Sequence, residues 1–321
     1  MPSFLGDCIN CTPALSLLEE SFPNAKIHLI LRPHTISAFE RDPRFNCILD
    51  SHNSDKFISF KKLTQRIKGL NADAAVLMNN TFVGALMMKV AGIKTIVGYN
   101  KELRGFLLTH SLKLDRERHY INRYAYLANA LCENKHRYLP EVSLISDSRN
   151  SAIAEEKSLK IGWCILSKAK LSRHYPAEQC KQAIAQINQF LPTNTQVYLL
   201  GAEYEESDAE RVITLCHQQG IDNVHSLAGK TSLVQLIDTI ADLDLLITAD
   251  SGPLHIAAAT KTPTIALHSK GTSAFSTVCP KGDHVHVVNS RWQYINDEDQ
   301  VLDLMPEDIA NQVKKWFNNR S

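Results

Sequence analysis

Residues 243–267 run in an order that few folds accommodate: an apolar stretch, a turn of small residues, an alanine-rich stretch and a second apolar stretch. Leu243-Asp244-Leu245-Leu246-Ile247 reads as a buried strand. Thr248-Ala249-Asp250-Ser251-Gly252-Pro253-Leu254-His255 leads from it into Ile256-Ala257-Ala258-Ala259, whose small side chains let a helix lie close on a sheet. Pro253 suits the first helical position, where its missing N–H would have no intrahelical partner. Gly252 lets backbone come close to a ligand. A second strand, Thr264–Leu267, follows directly after Pro263. A helix entered this way offers unpaired N–H groups and the positive end of its dipole, which together suit a phosphate, and His255 in its first turn can point at the same anion. At the carboxyl edge of a parallel sheet such a turn reads as a diphosphate site. Taken alone, the residues also fit an ordinary strand–turn–helix, with Ser251 or Gly252 as the cap and His255 half exposed.

The same alternation runs from end to end. In the first half, strands are expected at Lys26–Leu31, Cys47–Asp50, Ala74–Met78 and Thr95–Gly98, with helical stretches at Pro13–Ser21, Lys61–Lys68, Val83–Ala91 and His119–Cys132. In the second half, strands are expected at Ile161–Leu166, Gln196–Leu200, near His225, at Leu245–Thr248, Thr264–Leu267 and His284–Val288. The helices between and after them are Pro176–Phe190, Glu205–Gln218, Ser232–Ile240 and Pro306–Phe317. Strands separated by helices argue for an α/β fold with parallel sheets covered on both faces. A chain of 321 residues calls for two cores. The polar, serine-rich stretch from Ser143 to Ala152 marks the division, with an N-terminal domain over 1–145, a linker over 146–158 and a C-terminal domain over 159–321.

Charge excludes one class of partner. Lys plus Arg is 35 and Asp plus Glu is 34, so bulk charge does not suit nucleic acid. No apolar run is long enough for a membrane span, and MPSFLGDC carries no secretory pattern, so a cytoplasmic protein is expected. The eight cysteines then read as reduced thiols. Cys8 and Cys11 have the spacing of a redox or zinc pair, but no second pair has metal-ligand spacing, and two small apolar residues in the first helix are the better reading.

DSGPLHIAAATKTPTIAL resembles the C-terminal signature of glycosyltransferase family 9, the bacterial heptosyltransferases. Other segments agree in the same order. Gly6-Asp7, Thr12-Pro13-Ala14-Leu15 and Phe22-Pro23-Asn24-Ala25 are similar to its G-D…P-x-L…F-P-x-A pattern. Gly98-Tyr99 with Arg104 resembles its middle segment, and Arg173-His174-Tyr175-Pro176 its basic-aromatic-proline helix start. Leu199–Glu203 and Leu227–Leu233 complete the series. The resemblance implies a GT-B architecture, two Rossmann-like domains with parallel sheets facing across a cleft. The chain departs from the pattern in two places. Only Met1–Leu5 precede Gly6, so the first strand of the N-terminal sheet is expected to be truncated to a stub. His268-Ser269-Lys270-Gly271-Thr272 stands where the family usually has Phe-Gly-Pro-Thr.

The resemblance also implies roles. Asp7 would be the base that deprotonates the acceptor hydroxyl, although by residue type alone it reads as a helix cap. Asp250, Ser251, Gly252, Pro253, Leu254 and His255 would line the donor diphosphate. Arg173 would reach it with a fork where the family usually has a lysine. Glu203 would hold the ribose hydroxyls, and by residue type it equally joins Glu205 and Glu206 as a first-turn acid. On the acceptor side stand Arg104 and the cluster of Lys56, Lys61, Lys62, Arg66 and Lys68, which equally describes a solvated helix face. No Asp-x-Asp motif is present, so no metal cofactor is expected. The implied reaction is inverting transfer of a heptose from an ADP-activated donor to a lipopolysaccharide core sugar. Its setting would be the inner face of the bacterial inner membrane, with the protein peripheral there. Transfer from another nucleotide sugar, such as a hexosamine donor, and a catalytically silent nucleotide-sugar-binding relative are the alternatives.

Overall fold

The computed structural model describes residues 1–50, 56–153, 157–164, 173–269 and 274–320. Ile165 and Leu166 of one expected strand, Lys270–Thr272 of the divergent segment and residues 154–156 of the expected linker lie outside them, as does the side chain of Lys56. The chain divides into two compact units, Met1–Ile145 and Ser146–Ser321. Every strand pairing in both is parallel.

The first unit runs α1 (Leu5–Asn10), α2 (Thr12–Ser21), β1 (Ile27–Leu31), β2 (Phe45–Leu49), α3 (Lys56–Gly69), β3 (Ala74–Val76), α4 (Phe82–Val90), β4 (Thr95–Tyr99), β5 (His110–Leu112) and α5 (Tyr120–Leu131). Alternation along the strands sorts side chains into two cores. Met78 and Val97 join Ala14, Leu18, Tyr124 and Leu127 of α2 and α5. Their chain neighbours Leu77 and Ile96 join Ile67, Met87 and Met88 of α3 and α4. Met1–Leu5 carry no strand, less than the stub expected, and Leu5 already begins α1. Consequently β1 pairs only with β2, and β3, β4 and β5 form a separate sheet, among the described residues. The Met1 amine donates to the Ile30 carbonyl at 3.1 Å, while the Met1 side chain packs with Ile27 and Val76 onto the α2–α5 core. β5 escapes a reading by periodicity, since three residues with a half-exposed pattern leave no period to see.

The second unit runs β6 (Lys160–Cys164), α6 (Ala177–Asn188), β7 (Gln196–Leu199), α7 (Glu206–His217), β8 (Val224–Ser226), α8 (Leu233–Ala241), β9 (Leu245–Ala249), α9 (Gly252–Thr260), β10 (Thr264–His268), α10 (Phe275–Val278), β11 (Val285–Asn289) and α11 (Pro306–Asn318). Its six strands lie in the order β11-β10-β9-β6-β7-β8. β6, β7 and β8 advance to one side, and β9 returns to the other side of β6. Ile161, Trp163, Leu245, Ile247 and Ile265 pack with Ile184, Val212, Ile309 and Val313 of α6, α7 and α11. α8 and α9 pack together and α9 lies on β9 and β10. Helices of both groups cover strands that are buried along their length, which is why Ile161–Cys164 of β6 and Leu245–Ile247 of β9 read as apolar runs. The serine-rich stretch is tied to α8: Asp147 N–H and Asn150 Nδ2 donate to the Asp238 carboxylate at 2.8 and 2.6 Å, and Ala152 N–H donates to Thr239 Oγ1 at 3.0 Å.

Candidate active site

In an open parallel sheet, ligands bind beyond the carboxyl ends of the strands where the strand order reverses. In the second unit that point lies between β6 and β9. Thr248 holds the two strand ends together, its hydroxyl donating to the Cys164 carbonyl at 2.8 Å. β9 then delivers Asp250 and Ser251 to the edge, and α9 starts at Gly252.

The start of α9 is not capped by a side chain. Ser251 holds the N-cap position with extended backbone, φ −150° and ψ −178°. Its hydroxyl donates back to the Ala249 carbonyl at 3.3 Å instead of accepting from the helix. A cap would have satisfied one of the orphan N–H groups, so the helix keeps its capacity for an anion there. Pro253 sits in the first turn, and Leu254 and His255 are buried behind it.

Arg173, which the sequence places far from this turn, comes to it. Its Nη2 donates to the Asp250 carboxylate at 2.9 Å, with both side chains largely shielded from solvent. The Arg173 Nε is buried and has no hydrogen-bond partner among the described residues. A guanidinium offers five donors in a rigid plane, so the pair with Asp250 orients the fork and leaves donors beside the α9 terminus. Tyr175, next but one along the chain, anchors the segment: it is 1% exposed and its hydroxyl donates to the Leu304 carbonyl at 2.6 Å. Periodicity gives no hint of the Arg173–Asp250 pair, because 77 residues separate its members.

Glu203 stands at the carboxyl end of the neighbouring β7, exposed. The loop after β8 packs on it: Gly229 has φ +73°, and a Cβ there would lie 3.1 Å from the Glu203 Cα. Gly229 N–H donates to the Gly201 carbonyl at 3.0 Å. A glycine is therefore required at 229 both for its conformation and for the close approach. Glu205, not singled out from the sequence, is the acid that does the local structural work. It is 6% exposed and its Oε2 accepts from Ala202 N–H at 2.8 Å, which leaves Glu203 facing outward. At the end of β10, where the divergent segment begins, the His268 ring lies tilted against Phe275 at 4.2 Å between ring centroids and meets Trp292 edge-on at 5.8 Å.

In the first unit, Asp7 is half-buried in the first turn of α1. It caps neither helix, since Phe4 is the N-cap of α1 and Cys11 that of α2. Cys8 and Cys11 are free and fully buried. Burial pushes the Cys8 thiol up to about 12 and raises that of Cys11 well above the ordinary value, with Asp7 adding to both. Such thiols stay protonated at neutral pH and serve as apolar packing. Among the described residues no group of three or more His, Cys, Asp or Glu side chains could hold a metal ion.

The acceptor-side residues separate. Lys61, Lys62 and Arg66 are exposed on α3. Arg104 is 0% exposed, and every acceptor it holds is neutral. Its Nε donates to Tyr99 O at 2.9 Å, Nη1 to Asn79 O and Thr81 O at 2.9 and 3.1 Å, and Nη2 to Asn80 Oδ1 at 3.2 Å. Burial lowers its pKa from the ordinary value, and Glu102 acts against that shift. Arg104 thus ties the carboxyl ends of β3 and β4 together rather than standing open to a ligand. Arg104→Ala takes a donor from each of the Tyr99, Asn79 and Thr81 carbonyls and is expected to destabilise the protein by about 3 kcal/mol, seen as a fall of roughly 6–10 °C in melting temperature. Were the side chain instead a direct acceptor contact, the variant would melt like the parent.

Lipopolysaccharide heptosyltransferase 2 of Escherichia coli K12 is 26% identical over 86% of this chain and 83% of its own length. The structure of E. coli ADP-heptose lipopolysaccharide heptosyltransferase II superposes with a TM-score of 0.84 at 22% identity, over 99% of this chain and 97% of that one. E. coli heptosyltransferase WaaC with ADP gives 0.75 at 14% identity, over 100% and 98%. The family model for glycosyltransferase family 9 (heptosyltransferase) matches residues 60–301, and the chain belongs to that family of glycosyltransferases.

Proposed function

We propose that this glycosyltransferase moves a heptose, with inversion, from an ADP-activated donor to a core sugar of lipopolysaccharide, and that it works at the inner face of the bacterial inner membrane. The observation that carries the reading is the uncapped start of α9 beside the oriented Arg173 fork at the reversal of strand order.

In this reading the donor diphosphate lies on the N–H groups of Ser251 and Gly252, since Pro253 has none and Leu254 N–H donates to the Ser251 carbonyl at 3.1 Å, with Arg173 supplying the positive charge and Asp250 holding Arg173 in place. Glu203 accepts from the ribose hydroxyls. Asp7 takes the proton from the acceptor hydroxyl as that oxygen bonds to the anomeric carbon. The bond from that carbon to the diphosphate oxygen breaks at the same time, and ADP departs with the bonding electrons. Charge develops on the leaving diphosphate, so donors placed there beforehand stabilise the transition state more than the ground state. Lys61, Lys62 and Arg66 attract the anionic acceptor, and Arg104 serves it indirectly by holding the turn at Asn79–Thr81.

Helix dipole and guanidinium together do the work of a divalent cation in this scheme, so turnover is expected to persist in excess chelator. Activity lost on chelation and restored by magnesium or manganese would contradict it. The donor is tested by thermal shift with ADP-, UDP-, GDP- and CDP-sugars. Stabilisation by the ADP-sugar alone is the expected result, and preference for a UDP-hexosamine would replace the heptose reading.

A further inference from the structure

The net charge of +1 hides a strong asymmetry. Residues 56–107 carry nine of the chain's 35 Lys and Arg side chains and two of its 34 Asp and Glu side chains. One of those two acids is already engaged, since Glu102 accepts from Phe82 N–H at 3.3 Å. The same stretch exposes large apolar side chains: Leu103 is 88% exposed, Phe106 76%, Phe57 74% and Val83 54%. The elements that carry them adjoin. α3 packs on α4, and α4 packs on the turn at Gly105–Leu107. The Phe106 ring lies 6.3 Å from that of Phe82, the residue before Val83. Val83 and the 100–107 turn follow the carboxyl ends of β3 and β4, which are neighbours in one parallel sheet. Glu102 and Leu103 hold successive left-handed conformations, φ 54° and 57°. Side chains of this kind rarely adopt that region, and here the strained turn carries the most exposed leucine of the unit.

We propose that this face of the first unit, with Val83, Leu103 and Phe106 at its tip and Lys61 and Lys62 beside them, docks the enzyme on an anionic lipid bilayer. Exposed aromatic and aliphatic side chains ringed by lysine are the composition of interfacial anchors, where the apolar groups enter the acyl boundary and the lysines stay at the headgroups. A protein partner fits less well, because lysine is depleted in protein–protein interfaces. The inference deepens the reading of a lipid-borne acceptor and rests on it for its purpose.

The test uses the full chain with vesicles free of donor and acceptor, so its failure is separable from failure of the transferase reading, which ADP release on a delipidated acceptor oligosaccharide would detect. The protein is expected to bind phosphatidylcholine vesicles containing phosphatidylglycerol, bind plain phosphatidylcholine weakly, and lose affinity as salt rises. Leu103→Ser with Phe106→Ser should weaken binding about tenfold or more at fixed salt, while circular dichroism and melting stay at parental values because both positions are exposed. Phe106→Trp should gain emission that brominated lipid quenches beyond the parent's background. No binding to anionic vesicles would overturn the proposal. So would parental affinity in the double variant, which would leave charge alone as the attraction. A dimer that the double variant converts to monomer, without vesicle binding, would assign the face to a second copy of the chain.

Discussion

Asp7→Asn lowers kcat by about 10²–10⁴-fold, the usual contribution of a general base, and leaves the affinity for ADP and for the donor at parental values. The side chain lies in the first turn of a six-residue helix and caps neither α1 nor α2. Its place in the first turn also meets the helix dipole, an interaction worth about 0.3–1 kcal/mol. The asparagine keeps the shape and part of that interaction, so melting should scarcely move. Turnover and stability thus report on different roles. Single-turnover kinetics with saturating donor, read alongside calorimetric ADP binding, make the measurement. A variant that turns over like the parent would remove Asp7 from the chemistry and return it to helix stabilisation.

Arg173→Ala is expected to reduce kcat/KM for the donor by about 10²–10³-fold, as loss of a preorganised donor to a developing anion does. Two effects combine. The fork that would meet the diphosphate is gone, and the Asp250 carboxylate, which accepts from Arg173 at 2.9 Å, is left facing the same place. The second effect is separable. Asp250→Asn in the Arg173→Ala background removes the stranded charge and should recover part of the ADP affinity, while the same change in the parent should loosen the arginine and weaken binding. Arg173→Lys keeps the charge but loses the planar fork, and should fall between parent and alanine. Parental ADP affinity in all four variants would place the diphosphate elsewhere.

Most of the architecture was legible in the sequence because it rests on local patterns. The apolar runs at Leu245–Ile247 and Thr264–Leu267 are strands because both faces of their sheet are covered, and an unbroken apolar run is what that environment requires. α2, α5, α8 and α11 announced themselves through helical periods and begin within a residue or two of the expected starts. The family signature at 250–267 rests on the same kind of short-range information, since a strand, a tight turn and a proline-started helix are set by adjacent residues.

What local pattern could not convey is which distant groups meet. The ion pair of Arg173 with Asp250 joins residues 77 apart, and Asp250 reaches it from the end of β9, the strand that pairs with β6. Arg104 stood on the acceptor side by the family resemblance, but its guanidinium is spent on the carbonyls of two strand ends, an arrangement only the closing of β3 on β4 creates. Glu203 and Glu205 are alike in sequence. The fold turns one inward to cap Ala202 and leaves the other exposed beside Gly229. The sequence by itself therefore determined the class of fold, the order of its elements and the turn that suits a diphosphate, because propensity and periodicity act over a few residues. The tertiary structure decided which charges are paired, which are buried and which remain for a ligand, because those outcomes depend on desolvation and on contacts between residues the chain keeps far apart.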